Sequence, residues 1–306
     1  MYETTSEKLR TSEEDLPEKG LRNAAFSFVI LTYNEEVHLP RLLQSIASLH
    51  ADVFILDSGS TDGTLEVARR FGALVAHHAF ENHPKQWDFA LKHFNITTPW
   101  TIGLDADQIV TPELLELLTN FRDTDIPSSV NGIYFNRKNY FKGRWIRYGG
   151  YFPKYLLKMF RTGVGCSDLH ENMDHRFIVP GKTIVWKRGY LIEENLKEND
   201  IGFWIDKHNR YSTLHAREET ERRNGLRGQT IQPKLFGSPD QRTAFLKKAW
   251  WQMPLFARPI LYFTWRYFFK LGFLDGRQGF IFHVLQAFWY RLIVDIKIHE
   301  HQNISK

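Results

Sequence analysis

Trp100-Thr101-Ile102-Gly103-Leu104-Asp105-Ala106-Asp107-Gln108 is an apolar run that stops on two carboxylates one residue apart. The run predicts a buried strand over residues 100–104, which places Asp105 and Asp107 on the loop beyond its C-terminal end. In an open α/β sheet that rim is where ligands bind. Side chains two apart on an extended backbone point the same way, so the two carboxylates can converge on one hard cation and, through it, on a phosphate. An isolated acidic pair after a strand is also ordinary turn chemistry, so the meaning of this one rests on its surroundings.

Upstream, from Phe26, short apolar runs alternate with amphipathic helices, the pattern of βαβ units and a mainly parallel sheet. A first strand over 26–31 leads into the polar loop Thr32-Tyr33-Asn34-Glu35-Glu36. The next helix carries Leu39, Leu42, Leu43 and Ile46 on one face. A second strand over 53–56 ends in Asp57-Ser58-Gly59-Ser60-Thr61-Asp62-Gly63-Thr64, small and polar residues that suit a tight turn into a helix. A short third strand over 74–76 and a helix over 85–94 complete the approach to Trp100. Right-handed crossovers bring three strand ends to one rim: Thr32 to Asn34, Asp57 with Ser58, and Asp105 to Asp107. Neither G-x-G-x-x-G nor G-x-x-x-x-G-K-[ST] occurs in these loops, which argues against a dinucleotide Rossmann site and a P-loop. A nucleotide here would be held mostly by side chains and a metal.

The 306 residues, 42% hydrophobic and 25% charged, suffice for a packed core in one large domain or two small ones. A net charge of +5 and a pI near 9.1 suit a protein that meets anionic partners. The single cysteine, Cys166, excludes an internal disulfide framework and a Cys-rich zinc site, and fits a reducing compartment. Residues 1–22 are polar and predict a disordered tail, with no secretory signal core. No uncharged apolar run approaches the ~18 residues of a membrane span. After Pro112 a helix carries Leu114, Leu115, Leu117 and Leu118, and from Gly132 the alternation fits a mixed sheet. Residues 137–155 interleave aromatic with basic side chains, suited to stack a sugar and neutralise a phosphate, or to pack a rim with snorkelling cations.

Taken together, Leu31-Thr32-Tyr33-Asn34-Glu35-Glu36, Leu56-Asp57-Ser58-Gly59-Ser60-Thr61-Asp62-Gly63-Thr64 and Leu104-Asp105-Ala106-Asp107 resemble glycosyltransferase family 2 in motif, order and spacing. Within that family, Asp168-Leu169-His170-Glu171 and Trp204-Ile205-Asp206-Lys207-His208-Asn209-Arg210-Tyr211-Ser212 are similar to bacterial lipopolysaccharide-core and envelope-polysaccharide transferases. The resemblance covers roughly residues 26–215. It implies an α/β GT-A fold, Rossmann-like, with a mainly parallel sheet flanked by helices. It also implies a nucleotide-sugar donor, with a UDP-sugar favoured, a divalent Mn²⁺ or Mg²⁺, and inversion at the anomeric carbon. Leu31, Thr32, Tyr33 and Asn34 would surround the base, Tyr33 stacking on it. Asp57 stands where the family usually has a carboxylate near base or ribose, and Ser58 replaces the second acid of many members. Lys85 falls at a helix start close to the donor. Asp107 would be the metal ligand, Asp105 would face the ribose or the metal shell, and Gln108 takes a third position that is often acidic.

Inverting transfer needs positive charge for the departing diphosphate and a base for the acceptor hydroxyl. The resemblance favours Glu171 as base, with Asp168 as rival, and His170 as a second metal ligand or phosphate contact. Lys207, Arg210 and Tyr211 fall near one helix face, the two cations serving as diphosphate ligands or as a solvated face.

The last third is aromatic. Residues 249–273 hold ten Trp, Tyr or Phe, and no acidic residue lies between Asp240 and Asp275, whereas Arg242, Lys247, Lys248, Arg258, Arg266 and Lys270 are basic. Such a segment fits an anionic membrane surface, or else a buried helical hairpin. A final helix over 278–298 sets Ile281, Val284, Leu285, Phe288, Leu292 and Ile296 along one stripe, which predicts a face packed on that segment or on another subunit of a homo-oligomer. Nucleic acid is disfavoured, because the cations sit among Trp and Phe and no nucleic-acid motif occurs. The expected organisation is a catalytic domain over 23–225, with a donor half over about 26–122 and an acceptor half over about 130–225, then a helical aromatic-rich extension over 226–306. The expected activity is sugar transfer to a lipid-linked or lipopolysaccharide-core acceptor at the cytoplasmic face of the cell membrane. A polyprenyl-phosphate sugar transferase and a non-catalytic nucleotide-binding membrane scaffold are the alternatives.

Overall fold

A computed structural model of the chain describes residues 24–171, 175–228 and 230–304. The tail expected over residues 1–22 lies outside the described residues. The first half runs β1 (Phe26–Thr32), α1 (Leu39–Ile46), β2 (Val53–Asp57), α2 (Thr64–Arg70), β3 (Leu74–His77), α3 (His83–His93), β4 (Trp100–Asp105), β5 (Gln108–Val110) and α4 (Pro112–Thr119). Then come β6 (Val130–Phe141), β7 (Arg144–Trp145), β8 (Tyr155–Arg161), β9 (Cys166–Ser167), β10 (Phe177–Ile178) and β11 (Lys182–Glu193). The helices α5 (Ile201–Arg223), α6 (Pro239–Gln252), α7 (Ala257–Thr264), α8 (Gly276–His283) and α9 (Tyr290–Ile304) follow.

The main sheet has the order β3-β2-β1-β4-β8-β6-β11-β5. Strands β1 to β4 pair in parallel, as the βαβ alternation predicts. Beyond β4 the sheet is mixed: β8 is antiparallel to both β4 and β6, β11 is parallel to β6, and β5 is antiparallel to β11. β1 is buried along its whole length, because both faces of the sheet are covered. Phe26, Phe28 and Ile30 pack with Leu39, Leu42 and Leu43 of α1 and Leu114 and Leu118 of α4. The intervening Val29 and Leu31 pack with Trp87 and Ala90 of α3.

Register fixes the rim. Thr32 pairs with Asp57 and Leu31 with Asp105, so the ends of β1, β2 and β4 stand side by side. β5 starts just after β4 ends, yet it pairs with β11 at the far edge. The sheet therefore curls, and the pairing of Gln108 with Glu193 carries the end of β11 to the acidic pair.

The C-terminal helices pack on this frame through Phe282 of α8 against Phe141, Ile146 and Trp204, and through Tyr290, Val294 and Ile298 of α9 against Ala216 of α5. The buried stripe is thus not the one predicted, since Ile296 is exposed and Val294 and Ile298 are buried. A π-helical turn over Val284–Trp289 shifts the register between α8 and α9. The run Gly272–Gln302 has the length and mean hydropathy of a membrane span, and 39% of its most apolar window is buried inside the molecule.

Arg258, expected among the surface cations, is fully buried. Its guanidinium donates to Asp295 at 2.8 Å and to Glu219 at 2.7 Å, tying α7 to α9 and α5. Arg258→Leu would strand the buried Asp295 carboxylate and leave Glu219 with Arg223 alone, so we expect a loss of about 3–5 kcal/mol in denaturant unfolding. A midpoint unchanged from the parent would show that the triad contributes nothing. The apolar residues around it face outward instead: Trp265 is 52% exposed and Phe269 68%, with Phe268, Leu271, Phe273 and Leu274 beside them.

Candidate active site

The three strand ends open into a cleft of about 1960 Å³ that reaches from the sheet rim to α6, α7 and α9. Leu31, Thr32, Tyr33 and Ser58 line it, as do Asp105, Asp107, Lys207 and Arg210. Tyr33 is well exposed and presents its ring at the mouth.

Asp57 and Asn34 stand behind this wall. Asp57 is buried and accepts from the Thr32 hydroxyl at 2.8 Å and from the Gly59 and Ser60 amides at 2.9 and 2.8 Å. Its lone pairs are spent on holding the turn rather than offered to a base or ribose. Asn34 adopts a left-handed conformation, accepts from the Thr61 amide at 2.8 Å, and through its own amide donates to the Ser60 hydroxyl at 2.8 Å. Both residues lock the first two loops together. Lys85 does not line the cleft but pairs on the surface with Glu81, which does. Its neighbours His83 and Gln86 are the α3 residues that line the cleft.

The acidic pair is divided by its surroundings. Burial alone would raise the proton affinity of Asp105, but Lys158, 2.8 Å away, and His83, 3.7 Å away, outweigh it and hold the carboxyl well below the usual range. Asp107 goes the other way: burial, then Glu193 and Asp105, push it up to about 7, opposed by Lys207. Gln108 ties the two sides together, its amide donating to Asp105 at 3.0 Å and to Glu193 at 2.9 Å. Arg137 donates to the other Glu193 oxygen at 2.6 Å. Asn195 reaches Asp107 at 3.2 Å. Burial would lower the proton affinity of Lys207, but Glu198 at 2.7 Å, then Tyr211 and Asp107, overcome that and raise it.

Lys158, His83, His175 and Glu193 complete the site and were not singled out from sequence, and Arg137 joins them from the start of the aromatic-basic segment. Lys158 carried a signal, because it interrupts the apolar strand Tyr-Leu-Leu-Lys-Met-Phe-Arg of β8, and a lysine in a buried strand needs a partner. Glu193 carried none, since only the curl of the sheet brings it to Gln108.

Asp168, His170 and Glu171 follow β9, and none of the three lines the cleft among the described residues. Asp168 is buried and accepts from the Thr230 hydroxyl at 2.8 Å and the His170 amide at 3.1 Å. His170 is exposed and turned to Thr230 at 3.0 Å, away from Asp105 and Asp107. Glu171 is buried beside Arg222 at 3.2 Å, Lys247 at 3.4 Å and Arg176 at 3.6 Å. Burial raises its proton affinity in spite of these cations, with Glu218 adding to the rise. Arg176 and Lys247 do line the cleft, so Glu171 sits one side chain behind its surface.

Residues 27–174 match the glycosyl transferase family 2 profile. The chain carries a family 2 glycosyltransferase domain. It is similar to the lipopolysaccharide core biosynthesis glycosyltransferase LpsC of Rhizobium meliloti, 27% identical over 205 residues, covering 64% of this chain and 72% of that one. A 4,4'-diaponeurosporenoate glycosyltransferase of Staphylococcus haemolyticus is 33% identical over 75 residues, or 24% of this chain and 20% of that protein. Among solved structures, the mannosyltransferase PcManGT of Pyrobaculum calidifontis matches 95% of this glycosyltransferase and 91% of itself, with a TM-score of 0.50 at 15% identity. The curled mixed sheet with flanking helices is thus a GT-A fold, and the chain is an enzyme of the glycosyltransferase class.

Proposed function

We propose that this enzyme moves a sugar, with inversion, from a nucleotide-sugar donor to a lipid-linked or lipopolysaccharide-core acceptor, assisted by a divalent cation. The observation that carries the reading is the gathering of Asp105, Asp107 and Glu193 at the rim, where burial and then the two neighbouring carboxylates push the Asp107 carboxyl up to about 7. Such a cluster of negative charge is what a dication relieves. Among the described residues no three His, Cys, Asp or Glu side chains form a ready cage. One or two carboxylates completed by substrate phosphates is the ordinary way Mg²⁺ is held, so the residues fit Mn²⁺ or Mg²⁺ on Asp107, with Asp105 beside it. The PcManGT structure was determined with GDP-Man and Mn²⁺, and the name of LpsC points to a lipopolysaccharide-core acceptor.

When bound, the cation supplies Lewis-acid charge to the departing diphosphate. Tyr33 stacks on the base, and Leu31, Thr32 and Ser58 close its pocket. Lys158 keeps Asp105 ionised and oriented, whereas Lys207 and Arg210 add positive charge for the diphosphate. Glu171 takes the proton of the acceptor hydroxyl, which requires the side chains of Arg176 and Lys247 to admit the acceptor. The exposed Trp265, Phe268, Phe269, Leu271 and Phe273, with Lys270 among them, fit attachment to the anionic inner face of the cell membrane.

A thermal-shift series with UDP and GDP, with and without Mn²⁺, tests the donor reading. We expect one nucleotide to raise the melting temperature, and to do so only with Mn²⁺. Because the cation displaces a proton from Asp107, the shift should grow between about pH 6 and about pH 8. A shift from neither nucleotide at any pH would sink the reading.

A further inference from the structure

Between β11 and α5 the chain runs past both halves of the rim. Glu193 ends β11, a 3₁₀ turn spans Leu196–Asn199, and α5 begins at Ile201. The first part of this strap is fastened to the acidic pair: the Glu194 amide donates to the Asp107 carbonyl at 3.1 Å, and the Asn195 side chain donates to an Asp107 carboxylate oxygen at 3.2 Å. The next part is fastened to the first rim loop, where Lys197 donates to the Asn34 carbonyl and lies 3.4 Å from Glu35. Leu196 stands between these attachments, and its amide donates at 2.8 Å to Nε2 of His38, at the start of α1. The His38 side chain is fully buried, and its other nitrogen, Nδ1, meets the Glu35 carboxylate. A backbone N–H can only donate, so Nε2 accepts and the ring proton sits on Nδ1, toward Glu35. One neutral tautomer satisfies both contacts, whereas a proton on Nε2 would face the Leu196 N–H.

We propose that His38 is a positioning residue, which sets the Asp107 carboxylate from the far side of the strap, through Leu196 and Asn195. The Asn195 contact by itself is one hydrogen bond at the wall of an open cleft, where water competes for both partners. The bond one residue further on lies against a ring shut away from water, where it is stronger and fixes the backbone from which Asn195 reaches. The ring in turn moves only with α1, because the His38 carbonyl accepts the Arg41 and Leu42 amides at 3.0 and 3.3 Å. Arg41 of the same helix adds an ion pair to Glu194 at 2.5 Å, but it is partly exposed and screened. Since Glu35 meets both His38 and Lys197, the loop that carries Tyr33 and the strap that carries Asn195 form one hydrogen-bonded unit. The proposal deepens the donor reading and rests on it, because Asp107 is the group being positioned.

Nitrogen-15 NMR of the full chain labelled at histidine, without nucleotide or metal, should show His38 as the Nδ1–H tautomer, and the Nε2–H form would overturn the proposal. Two substitutions then separate positioning from packing. Glutamine can set its carbonyl oxygen where Nε2 stands and accept from Leu196, whereas the shorter asparagine reaches only Glu35. In His38→Asn, deuterium exchange over residues 194–199 in chelator should quicken roughly tenfold. The Mn²⁺ concentration that gives half of the thermal shift with UDP or GDP should rise roughly tenfold as well. His38→Gln should keep the parent value of both. Equal changes in the two variants, or parent values in His38→Asn, would overturn the proposal. Asn195→Ala leaves the His38 bond in place and should raise the Mn²⁺ requirement alone, so it decides the matter even where a His38 variant fails to fold; no rise there overturns the route through Asn195. Added to Asn195→Ala, His38→Asn should raise the requirement no further. Absence of the Mn²⁺-dependent shift in the parent would instead be a failure of the donor reading, and the ligand-free tautomer and exchange would still decide whether His38 holds the strap.

Discussion

Replacing Asp107 with Asn is expected to leave a folded protein whose sugar transfer is slower by about 10³-fold, the several kcal/mol that a cation supplies to a leaving diphosphate. Asparagine has the same shape and can still meet Asn195, so packing is not at issue. Stability should move in a direction that a structural role would not give. A carboxyl raised from 3.8 to about 7 on folding is bound to its proton more tightly in the folded state. Its ionisation therefore costs stability progressively as pH rises from about 4 to about 7, and fully above that. At neutral pH in chelator the Asn variant should melt above the parent, by about 1–2 kcal/mol once solvent at the cleft mouth is allowed for. Added Mn²⁺ should reverse the order by stabilising only the parent. Asp105→Asn should do the opposite in chelator. That carboxyl is held below its ordinary value by Lys158, so its stabilising effect is present above about pH 4 and lost as pH falls, and its removal strands the lysine. Full transfer activity in Asp107→Asn would remove the cation from the mechanism.

That division of the acidic pair lies beyond what the sequence reveals. The strand endings were legible, because apolar runs that stop on Thr32, Asp57 and Asp105 and alternate with amphipathic helices leave a parallel sheet little choice of rim. What was not legible came from contacts between distant segments. Asp57 reads as a free carboxylate, but the tight turn that makes its motif recognisable also consumes its oxygens through Gly59 and Ser60. Gln108 reads as a lost charge, whereas the pairing of β5 with β11 sets Glu193 opposite it and brings a carboxylate back to the site from residue 193. In the aromatic third, composition located the exposed patch, and one cation was misplaced. Arg258 is buried because Glu219 and Asp295 meet it from two other helices, and composition over residues 249–273 cannot contain either partner.

Glu171→Gln should lower the turnover number by about 10²–10⁴-fold, the range for loss of a positioned base, while nucleotide affinity with Mn²⁺ stays within about twofold of the parent. The base reading and a purely structural one differ in what pH does. With its proton affinity raised by burial, Glu171 gives the parent an acid limb displaced above the ordinary carboxylate range, transfer rising as the group ionises. The Gln variant should lose that limb altogether. A residue that merely balanced Arg176, Arg222 and Lys247 would lower stability and acceptor affinity together, and the residual activity would keep its acid limb. Should turnover survive in Glu171→Gln, Asp240 becomes the group to replace. It lines the cleft directly, accepts from Tyr134 at 2.7 Å and lies 3.9 Å from Arg176, the cation it shares with Glu171. Asp240→Asn would then carry the loss of turnover. The shared arginine gives both carboxylates a route to the same acceptor hydroxyl, so the pair of variants decides between a base at the cleft wall and one that acts from just behind it.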